Sequence, residues 1–299
     1  MDELTPVEKH RDMWFKRDDY FKPFADFEIC GGKVRQCMSL ILENRKYIET
    51  ECDGTVATAS SVHSPQAVIV ARVAKEYGYK SIIGIGNTTV EGAISKHRTI
   101  QLASALGAEI VVLSETQGFN NVLYANLQKL KQERPFFEIH FGFQARTQKV
   151  SIVESIAKQV ENIPEEVTTL VVPMGSGITF CGILSGVIKF GLFDRKDFRL
   201  VGIQPFGYDK RKMISESVDE YSPLYGHRYD FYMGDYSYHT KFEYDVSPDF
   251  VLDNIYESKA FHMMFRDDII TDKEKVCYWV IGNSNWLRIK PKGLDKFYN

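Results

Sequence analysis

A lysine that follows two glycines is the residue of this sequence best suited to covalent chemistry. Gly31 and Gly32 leave the backbone bare just before Lys33, and an apolar run compatible with a helix follows at residues 37–42. A lysine on an open loop that leads into a buried helix can project inward. There, desolvation disfavours its ammonium form and leaves a nucleophilic amine. Taken alone, the pattern is more typical of a surface lysine after a turn.

A glycine-rich turn further along the chain offers an anion-binding site between a predicted strand and a predicted helix. The turn consists of Gly175, Ser176, Gly177, Ile178 and Thr179. Bare backbone N–H groups beside the positive end of a helix dipole attract an anion. The turn lacks the spacing of a dinucleotide fingerprint and the lysine of a P-loop. It therefore suits a single phosphate better than a pyrophosphate, although a tight turn needs glycine in any case.

A third segment brings hydroxyl and imidazole groups to the start of a helix. A β-rich run at residues 54–59 leads into it, and a helical pattern begins at Ala67. The segment consists of Ser60, Ser61, Val62, His63, Ser64, Pro65 and Gln66.

The elements around these segments alternate between strands and helices. Strands are predicted at residues 14–17, 81–85, 109–113, 137–141, 169–173, 200–204 and 276–281. Helices are predicted at residues 91–106, 120–132, 148–160 and 178–190. Strands that are separated by helical patterns predict βαβ units and parallel sheets, so the fold class is α/β.

The composition indicates a chain that can bury a substantial core. Its 299 residues are 44% hydrophobic, with a formal net charge of −3 and a pI near 6.2. This charge gives no general attraction to nucleic acid or to anionic membranes. The sequence shows no apolar run near the roughly 20 residues that span a bilayer and no signal-peptide pattern at its start. Its five scattered cysteines read as reduced thiols with no metal-ligand spacing. We expect a cytoplasmic protein, in the host cytoplasm if the chain is viral, with neither metal nor membrane partner.

Seven tyrosines crowd into residues 221–244, where neither helical nor strand periodicity is sustained. They are Tyr221, Tyr225, Tyr229, Tyr232, Tyr236, Tyr238 and Tyr244. Long ordered loops are usually functional, and the aromatic richness argues against disorder. Two interpretations stay open: an aromatic flap that packs on the core or on a partner subunit, or a wall that faces the substrate.

Together, these segments resemble the fold type II enzymes that use pyridoxal 5′-phosphate (PLP). The chain is most similar to the group that contains 1-aminocyclopropane-1-carboxylate deaminase and D-cysteine desulfhydrase. The resemblance extends over nearly the whole chain, in five segments at residues 15–19, 32–35, 60–66, 175–179 and 252–260. The last segment, LDNIYESKA, looks like the family's DPVYEGKA.

The resemblance implies a two-domain α/β fold like that of tryptophan synthase β, with open, mostly parallel sheets flanked by helices. A large cofactor-binding domain would comprise residues 1–45 and 151–299, and a small α/β domain would comprise residues 46–150. A homodimer is expected.

The resemblance also implies the roles of individual residues. Lys33 would form the Schiff base with the cofactor aldehyde, and the turn at residues 175–179 would hold the phosphate. Glu257 would lie near the pyridine nitrogen, where a carboxylate favours a protonated ring and a strong electron sink. Tyr256 and Ser64 match residues that the deaminases place beside the substrate carbon. The expected catalytic residues are thus Lys33, Ser64, Tyr256 and Glu257.

The chain departs from the family where the substrate would bind. The family turn usually has an asparagine that contacts the cofactor hydroxyl, and N–H groups that hold the substrate carboxylate. One register places Pro65 at that asparagine, and another places His63 there as a cofactor contact. In either register Pro65 cannot donate an N–H, so a weaker hold on the carboxylate is expected. After the last strand, Asn283 or Ser284 could contact the ring. The expected substrate contacts are Ser61, Ser64, Gln66 and Tyr256.

Three functions fit these residues. The first is a lyase or deaminase that acts at the α-carbon of a free amino acid through Lys33. The second is a decarboxylase or another tailoring enzyme for an amino acid attached to a nucleotide or DNA base, as in phage enzymes that decorate thymine. The third is a PLP carrier or regulatory protein. Tyr256, Glu257 and Ser64 argue against the third function, because a carrier needs only the lysine and the phosphate site.

The second function would give the tyrosine-rich segment a role, because aromatic side chains stack on bases. The acidic pI counts against tight binding of DNA. A nucleic acid substrate would therefore require a mononucleotide or a locally basic groove.

Overall fold

The chain forms two compact units in a computed structural model that describes residues 3–24, 29–143, 149–221, 228–247 and 250–282. The large unit comprises Met1–Arg35 and Ile152–Asn299, and the small unit comprises Gln36–Ser151. The chain passes from the large unit into the small unit between Arg35 and Gln36, within a helix. The sequence placed this boundary after residue 45. The cofactor-binding role of the large unit stays a prediction.

The strands are short, as expected for βαβ units. In chain order they are β1 (Val7–His10), β2 (Met13–Arg17), β3 (Thr55–Ala59), β4 (Lys80–Gly86), β5 (Glu109–Ser114), β6 (Phe137–Glu138), β7 (Thr169–Pro173), β8 (Arg199–Gln204), β9 (Asp230–Met233), β10 (Asp245–Ser247), β11 (Phe250–Val251) and β12 (Val276–Val280).

The helices connect these strands. They are α1 (Gly32–Glu43), α2 (Arg45–Glu51), α3 (Gln66–Glu76), α4 (Val90–Lys96), α5 (Arg98–Ala105), α6 (Asn120–Glu133), α7 (Lys149–Ala157), α8 (Ile178–Lys189), α9 (Arg211–Tyr221) and α10 (Glu257–Arg266).

The large unit is built on a sheet with the strand order β1-β2-β12-β7-β8-β9. β1 is antiparallel to β2, and every other neighbouring pair is parallel. The carboxyl ends of five strands therefore lie at one edge, which is where open α/β sheets bind their ligands. Aromatic side chains fill the core beside the sheet: the ring of Phe261 on α10 lies 6.0 Å from that of Phe15 and 5.1 Å from that of Tyr278.

The small unit has a parallel sheet in the order β5-β4-β3-β6. Helix α3 follows β3 and is buried from Gln66 to Ala74, because apolar residues occupy nearly every position. Ala57 on β3, Leu127 on α6 and Phe136 belong to one hydrophobic cluster. The polar turn at residues 60–66 therefore connects the carboxyl end of β3 to a fully packed helix.

The predicted α/β fold class, with parallel sheets flanked by helices, is confirmed, and the differences are local. The helix predicted at residues 91–106 is broken at His97, whose extended backbone separates α4 from α5. The strand predicted at residues 137–141 is limited to two residues. The segment 221–244, predicted to lack a strand, contains β9, which pairs in parallel with β8. Four residues are too few to show a period, and only the pairing with β8 reveals the strand.

Within the described ranges, the helices are all too short or too polar to cross a membrane. The same ranges contain no group of three or more His, Cys, Asp or Glu side chains that could hold a metal ion. All five cysteines are buried thiols.

Candidate active site

The loop that precedes Lys33 is hydrogen-bonded to the residues that follow β12. The Gly32 N–H donates to the Ile281 carbonyl at 3.0 Å, and the Gly31 N–H donates to the Phe21 carbonyl at 3.0 Å. A Cβ atom on Gly31 would lie 2.4 Å from the Ile281 carbonyl oxygen, and the backbone there has φ +101°. Only glycine tolerates both the close approach and this conformation. The two glycines therefore bring the main chain before Lys33 against the strand.

A buried ion pair fixes the first turn of α1. The Asp18 carboxylate accepts a hydrogen bond from Arg35 Nη1 at 2.7 Å, and both side chains are buried. The Arg35 guanidinium lies 4.3 Å from the ring of Phe21. A Cβ atom on Gly32 would lie 2.5 Å from Asp18 Oδ2, so this carboxylate also requires the glycine. Asp18 and Arg35 were not assigned roles from the sequence, although both lie in segments that carry the resemblance.

Lys33 lies in this first turn and is half-buried. Desolvation by burial lowers the pKa of its amine from 10.5 to about 8. An amine that loses its proton near neutrality is a far better nucleophile than an exposed lysine. The nucleophilic role of Lys33 stays a prediction, which this lowered pKa supports.

Glu257 also contacts Ile281 and Gly282, the two residues that follow β12. Its Oε1 accepts hydrogen bonds from the N–H groups of Ile281 at 2.9 Å and Gly282 at 2.8 Å, and its Oε2 accepts one from the Asp253 N–H at 2.9 Å. Burial and the Asp253 carboxylate raise the pKa of Glu257 to about 8, against the effect of the backbone N–H groups. Lys33 and Glu257 are thus both positioned by Ile281–Gly282, a pair that sequence reasoning missed.

The glycine-rich turn has the form of an anion cradle. It joins β7 to α8, and Gly177 at the N-terminus of α8 has φ +88°. The first N–H groups of a helix have no partner within the helix, so a glycine turn at a helix start has the backbone geometry of an anion site. A Cβ atom on Gly175 would lie 2.9 Å from Cε1 of Tyr256. The predicted cradle and the predicted catalytic tyrosine are therefore in contact.

Tyr256 belongs to a set of three half-buried rings that we call the aromatic wall: Phe206, Tyr238 and Tyr256. The ring of Phe206 lies 4.8 Å from that of Tyr256 and 5.6 Å from that of Tyr238. Burial raises the pKa of the Tyr256 hydroxyl, so it stays protonated at neutral pH. Phe206 follows β8 and Tyr238 follows β9, and the ring of Tyr238 lies 6.5 Å from that of Tyr256, so the three rings form one cluster.

Other tyrosines of the segment at residues 221–244 pack on protein. The ring of Tyr229 contacts Phe180 at 5.2 Å, and that of Tyr244 contacts Phe261 at 4.8 Å. Tyr232 packs on the core, and the Tyr236 hydroxyl hydrogen-bonds to His262. Four of the tyrosines therefore pack on protein, as the first interpretation predicts, and Tyr238 belongs to the aromatic wall. The side chain of Tyr221 lies outside the part that the structure describes. Tyr225 lies outside the described residues, as do Asn283 and Ser284.

The turn at residues 60–66 belongs to the small unit. His63 is exposed, and its ring lies 4.9 Å from that of His97. The hydroxyls of Ser61 and Ser64 accept hydrogen bonds from the N–H groups of His63 and Gln66, respectively, both at 3.3 Å.

The Gln66 amide is engaged inside the small unit. Its Nε2 donates to Thr58 Oγ1 at 2.7 Å and to the His140 carbonyl at 2.9 Å, and its Oε1 accepts from the Gly142 N–H at 2.7 Å. Gln66 thus positions the loop around residue 142. The substrate role predicted for it would require these bonds to open.

These residues fit PLP. The cradle is a glycine turn at a helix N-terminus, the kind of site that binds a phosphate. Lys33 has an amine whose pKa of about 8 gives it more of the uncharged form that reacts with an aldehyde than an ordinary lysine has. Lys33 would hold the aldehyde end, and Gly175–Thr179 would hold the phosphate.

Comparison with known proteins agrees with this fit. The family described as "Pyridoxal-phosphate dependent enzyme" matches residues 2–218. An O-seryl-dTMP PLP-dependent decarboxylase from Salmonella phage ViI is 28% identical over 214 residues, which cover 66% of this chain and 48% of that relative. The chain thus spans about half the length of this curated relative.

Solved structures show the same fold. An ACC deaminase homologue superposes with a TM-score of 0.69 at 20% identity, covering 94% of this chain and 90% of that chain. An O-acetylserine dependent cystathionine β-synthase from Helicobacter pylori gives 0.62 at 16% identity, covering 97% and 96%. The predicted resemblance to fold type II enzymes is confirmed, and the chain belongs to the family of pyridoxal-phosphate dependent enzymes.

Proposed function

We propose that this protein is a PLP-dependent decarboxylase for an amino acid that is attached to a nucleotide. The observation that carries the proposal is the aromatic wall, in which Phe206 and Tyr238 contact each other and both contact Tyr256, the ring that lies against Gly175. A small free amino acid does not need a cluster of three aromatic rings beside its reacting carbon. A nucleobase does, because stacking on aromatic rings is the general way in which proteins hold bases.

The turn at residues 60–66 supports the choice of bond. The resemblance assigns this turn to the substrate carboxylate, and Pro65 at its end has no N–H to donate. A carboxylate that is held loosely can leave as carbon dioxide. Decarboxylation breaks the bond between the α-carbon and the carboxylate, and a proton takes the place of the carbon dioxide, which leaves a nucleotide-linked amine.

The chain's own residues supply binding, orientation and proton transfer. When bound, PLP provides an electron sink for the electron pair that is released at the α-carbon. The cradle holds the phosphate through backbone N–H groups and the dipole of α8. The Nζ of Lys33, with a pKa of about 8, can gain or lose a proton near neutrality and so return one to the α-carbon. The Tyr256 hydroxyl keeps its proton and can donate a hydrogen bond.

A lyase or deaminase for a free amino acid is the second candidate. It is favoured by the contact between Tyr256 and the cradle together with the burial of Glu257 beside Ile281 and Gly282. In this function Tyr256 would assist at the substrate carbon, and the wall would only pack on protein.

Product analysis separates the two candidates. The PLP-loaded protein is incubated with free serine and with serine linked to deoxythymidine monophosphate, the compound class in the name of the phage relative. Carbon dioxide, ammonia and 2-oxo acid are measured separately. We expect carbon dioxide from the linked serine in a 1:1 ratio to the amine formed. Ammonia and a 2-oxo acid from free serine, without carbon dioxide from either compound, would contradict the proposal in favour of the second candidate.

A further inference from the structure

A buried lysine contacts the two loops that carry Phe206 and Tyr238 of the aromatic wall. Lys259 lies on α10, and none of its surface is exposed. Its Nζ donates a hydrogen bond to the Ser237 carbonyl at 2.8 Å, one residue before Tyr238. The same Nζ lies 4.7 Å from the centre of the Phe206 ring. One ammonium group thus contacts both the loop after β8 and the loop after β9.

The two contacts differ in kind and are expected to add. The cation over the ring is an electrostatic attraction that strengthens as the cation is desolvated. The hydrogen bond to a backbone carbonyl from a charged donor is stronger than one between neutral groups. Loss of the ammonium would release Phe206 and the Ser237–Tyr238 turn together, and would leave a buried carbonyl without this donor.

The loop of Phe206 has a second restraint that does not involve Lys259. Gln204 Nε2, at the end of β8, donates to the carbonyls of Phe206 at 3.0 Å and Tyr208 at 2.6 Å. The backbone of this loop is therefore fixed independently of the lysine. Lys259 contacts the side chain of this loop, the Phe206 ring, which also packs on Tyr238 and Tyr256.

We infer that Lys259 is a positioning residue that holds Phe206 and Tyr238 at the spacing with which the aromatic wall accepts a nucleobase. The inference rests on the nucleotide-linked substrate that is proposed above. Because Lys259 is fully buried, it acts on the substrate only through the two rings. It therefore determines how well a base is bound, and leaves the reacting carbon to other residues.

The first test reports the position of Tyr238 without any substrate. The protein is labelled with 3-fluorotyrosine and its ¹⁹F NMR spectrum is recorded. The resonance of Tyr238 is the one that is absent from the spectrum of Tyr238→Phe. We expect the resonance to shift or broaden in Lys259→Met and to return close to its original position in Lys259→Arg, which keeps a cation. The matched control is Lys273→Met, which removes a cation that lies 4.8 Å from the ring of Phe265 elsewhere in the unit. An unchanged Tyr238 resonance in Lys259→Met would overturn the positioning role.

The second test measures binding of deoxythymidine 5′-monophosphate to the PLP-loaded protein by equilibrium dialysis. We expect Lys259→Met to raise Kd about tenfold, Lys259→Arg to recover most of the affinity, and Lys273→Met to stay within about twofold. With the linked serine as substrate, KM should rise while kcat changes little. If Lys259→Met fails to fold, Lys259→Gln takes its place, because the amide can still donate to Ser237 but carries no cation.

The outcomes separate this inference from the proposed function. If the unaltered protein does not bind the nucleotide, the proposed substrate class and the nucleobase part of the inference both fall. If it binds the nucleotide and Lys259→Met binds it equally well, the proposed substrate class stands and the inference is overturned.

Discussion

The reactivity expected of Lys33 depends on the residues around it as well as on its own amine. Two glycines allow the chain to approach β12, the Asp18–Arg35 pair fixes the helix start, and burial then lowers the pKa of the amine. The reactive state is therefore a property of the folded loop. It should be measurable without substrate.

The first prediction concerns the protonation of Lys33. In the cofactor-free protein, labelling of this amine by an acylating reagent should rise with pH and reach half of its maximum near pH 8, because the uncharged form predominates above its pKa of about 8. The measurement is the mass-spectrometric yield of the labelled Lys33 peptide at each pH, with the exposed Lys212 as internal reference. A half-maximum near the ordinary lysine value of 10.5 would contradict the predicted environment.

Glu257→Gln tests what the buried carboxyl group does. A carboxylate, or the hydroxyl of a protonated acid, can accept from all three backbone N–H groups, whereas the NH₂ of glutamine would face a donor. We expect the free energy of unfolding to fall by about 1–3 kcal/mol. Urea unfolding measures this loss, and exposed Glu274→Gln is the control.

The same variant has a pH signature. Between the ordinary value of 4.5 and the raised pKa of about 8, the native state of the unaltered protein binds more protons than the unfolded state. The stability that Glu257 contributes is therefore lost as the pH rises through this window. The advantage of the unaltered protein over Glu257→Gln should shrink from pH 5 to 8. If the two proteins have the same free energy of unfolding, or differ by an amount that does not change with pH, the raised pKa of Glu257 is contradicted.

At the scale of elements, the cradle is a strand-to-helix turn in which one glycine has no substitute. Gly177 has φ +88°, a conformation that costs a residue with a Cβ roughly 1–2 kcal/mol. The cost falls on the turn whose N–H groups would hold the phosphate. A change here should therefore affect cofactor binding as well as stability.

The Gly177→Ala variant should bind PLP about tenfold more weakly, as measured by the absorbance of the bound cofactor during titration. Gly107→Ala is the control for backbone strain, because Gly107 has φ +94°. A Cβ on Gly177 would also press on Met213 Cε, whereas one on Gly107 would have nothing within 4 Å. Both variants carry similar backbone strain, but Gly107 lies in the turn between α5 and β5. Equal loss of PLP affinity in the two variants would show that strain, and not the cradle, is responsible.

The rings of the aromatic wall lie on loops, and Tyr238 is the ring from the loop that follows β9. Replacement of Tyr238 by alanine should raise KM for the nucleotide-linked substrate by tens-fold with little change in kcat, since a stacked base contributes roughly 1–3 kcal/mol of uniform binding. Tyr244→Ala is the control, because that ring packs on Phe261 and should lower the melting temperature instead. Steady-state kinetics and thermal unfolding decide. A KM that Tyr238→Ala leaves unchanged would assign the wall to packing.

At the scale of the whole molecule, charge constrains the kind of nucleic acid that can be a substrate. A net charge of −3 gives no long-range attraction to a polyanion. This favours a substrate that carries a single nucleotide over one embedded in DNA. The expected homodimer is independent of this argument and remains a prediction that sedimentation can test.

Salt dependence follows from the charge argument. With one phosphate neutralised, KM for the linked serine should rise only about three- to fourfold between 50 and 200 mM salt, because the slope on logarithmic axes is near one per contact. Steady-state kinetics at four or five salt concentrations measure the slope. A rise in KM of a hundredfold or more over this range is larger than one phosphate contact can cause and would contradict this expectation.

The sequence by itself determined the features that local patterns encode. The alternation of strands and helices predicted β7, α8 and β8 within a residue at each end, because side-chain periodicity is a local property. Glycines before Lys33 and in the cradle pointed to the nucleophile and the phosphate site for the same reason, since tight turns impose glycine on the sequence.

Only the tertiary structure decided which of these segments meet. Ile281 and Gly282 position both the Lys33 loop and Glu257, and the aromatic wall joins Phe206, Tyr238 and Tyr256 from three separate loops. These contacts exist because β12, β7, β8 and β9 are neighbours in a parallel sheet, so that their carboxyl ends share an edge. Strand order is set by pairing between distant parts of the chain, and no local period records it.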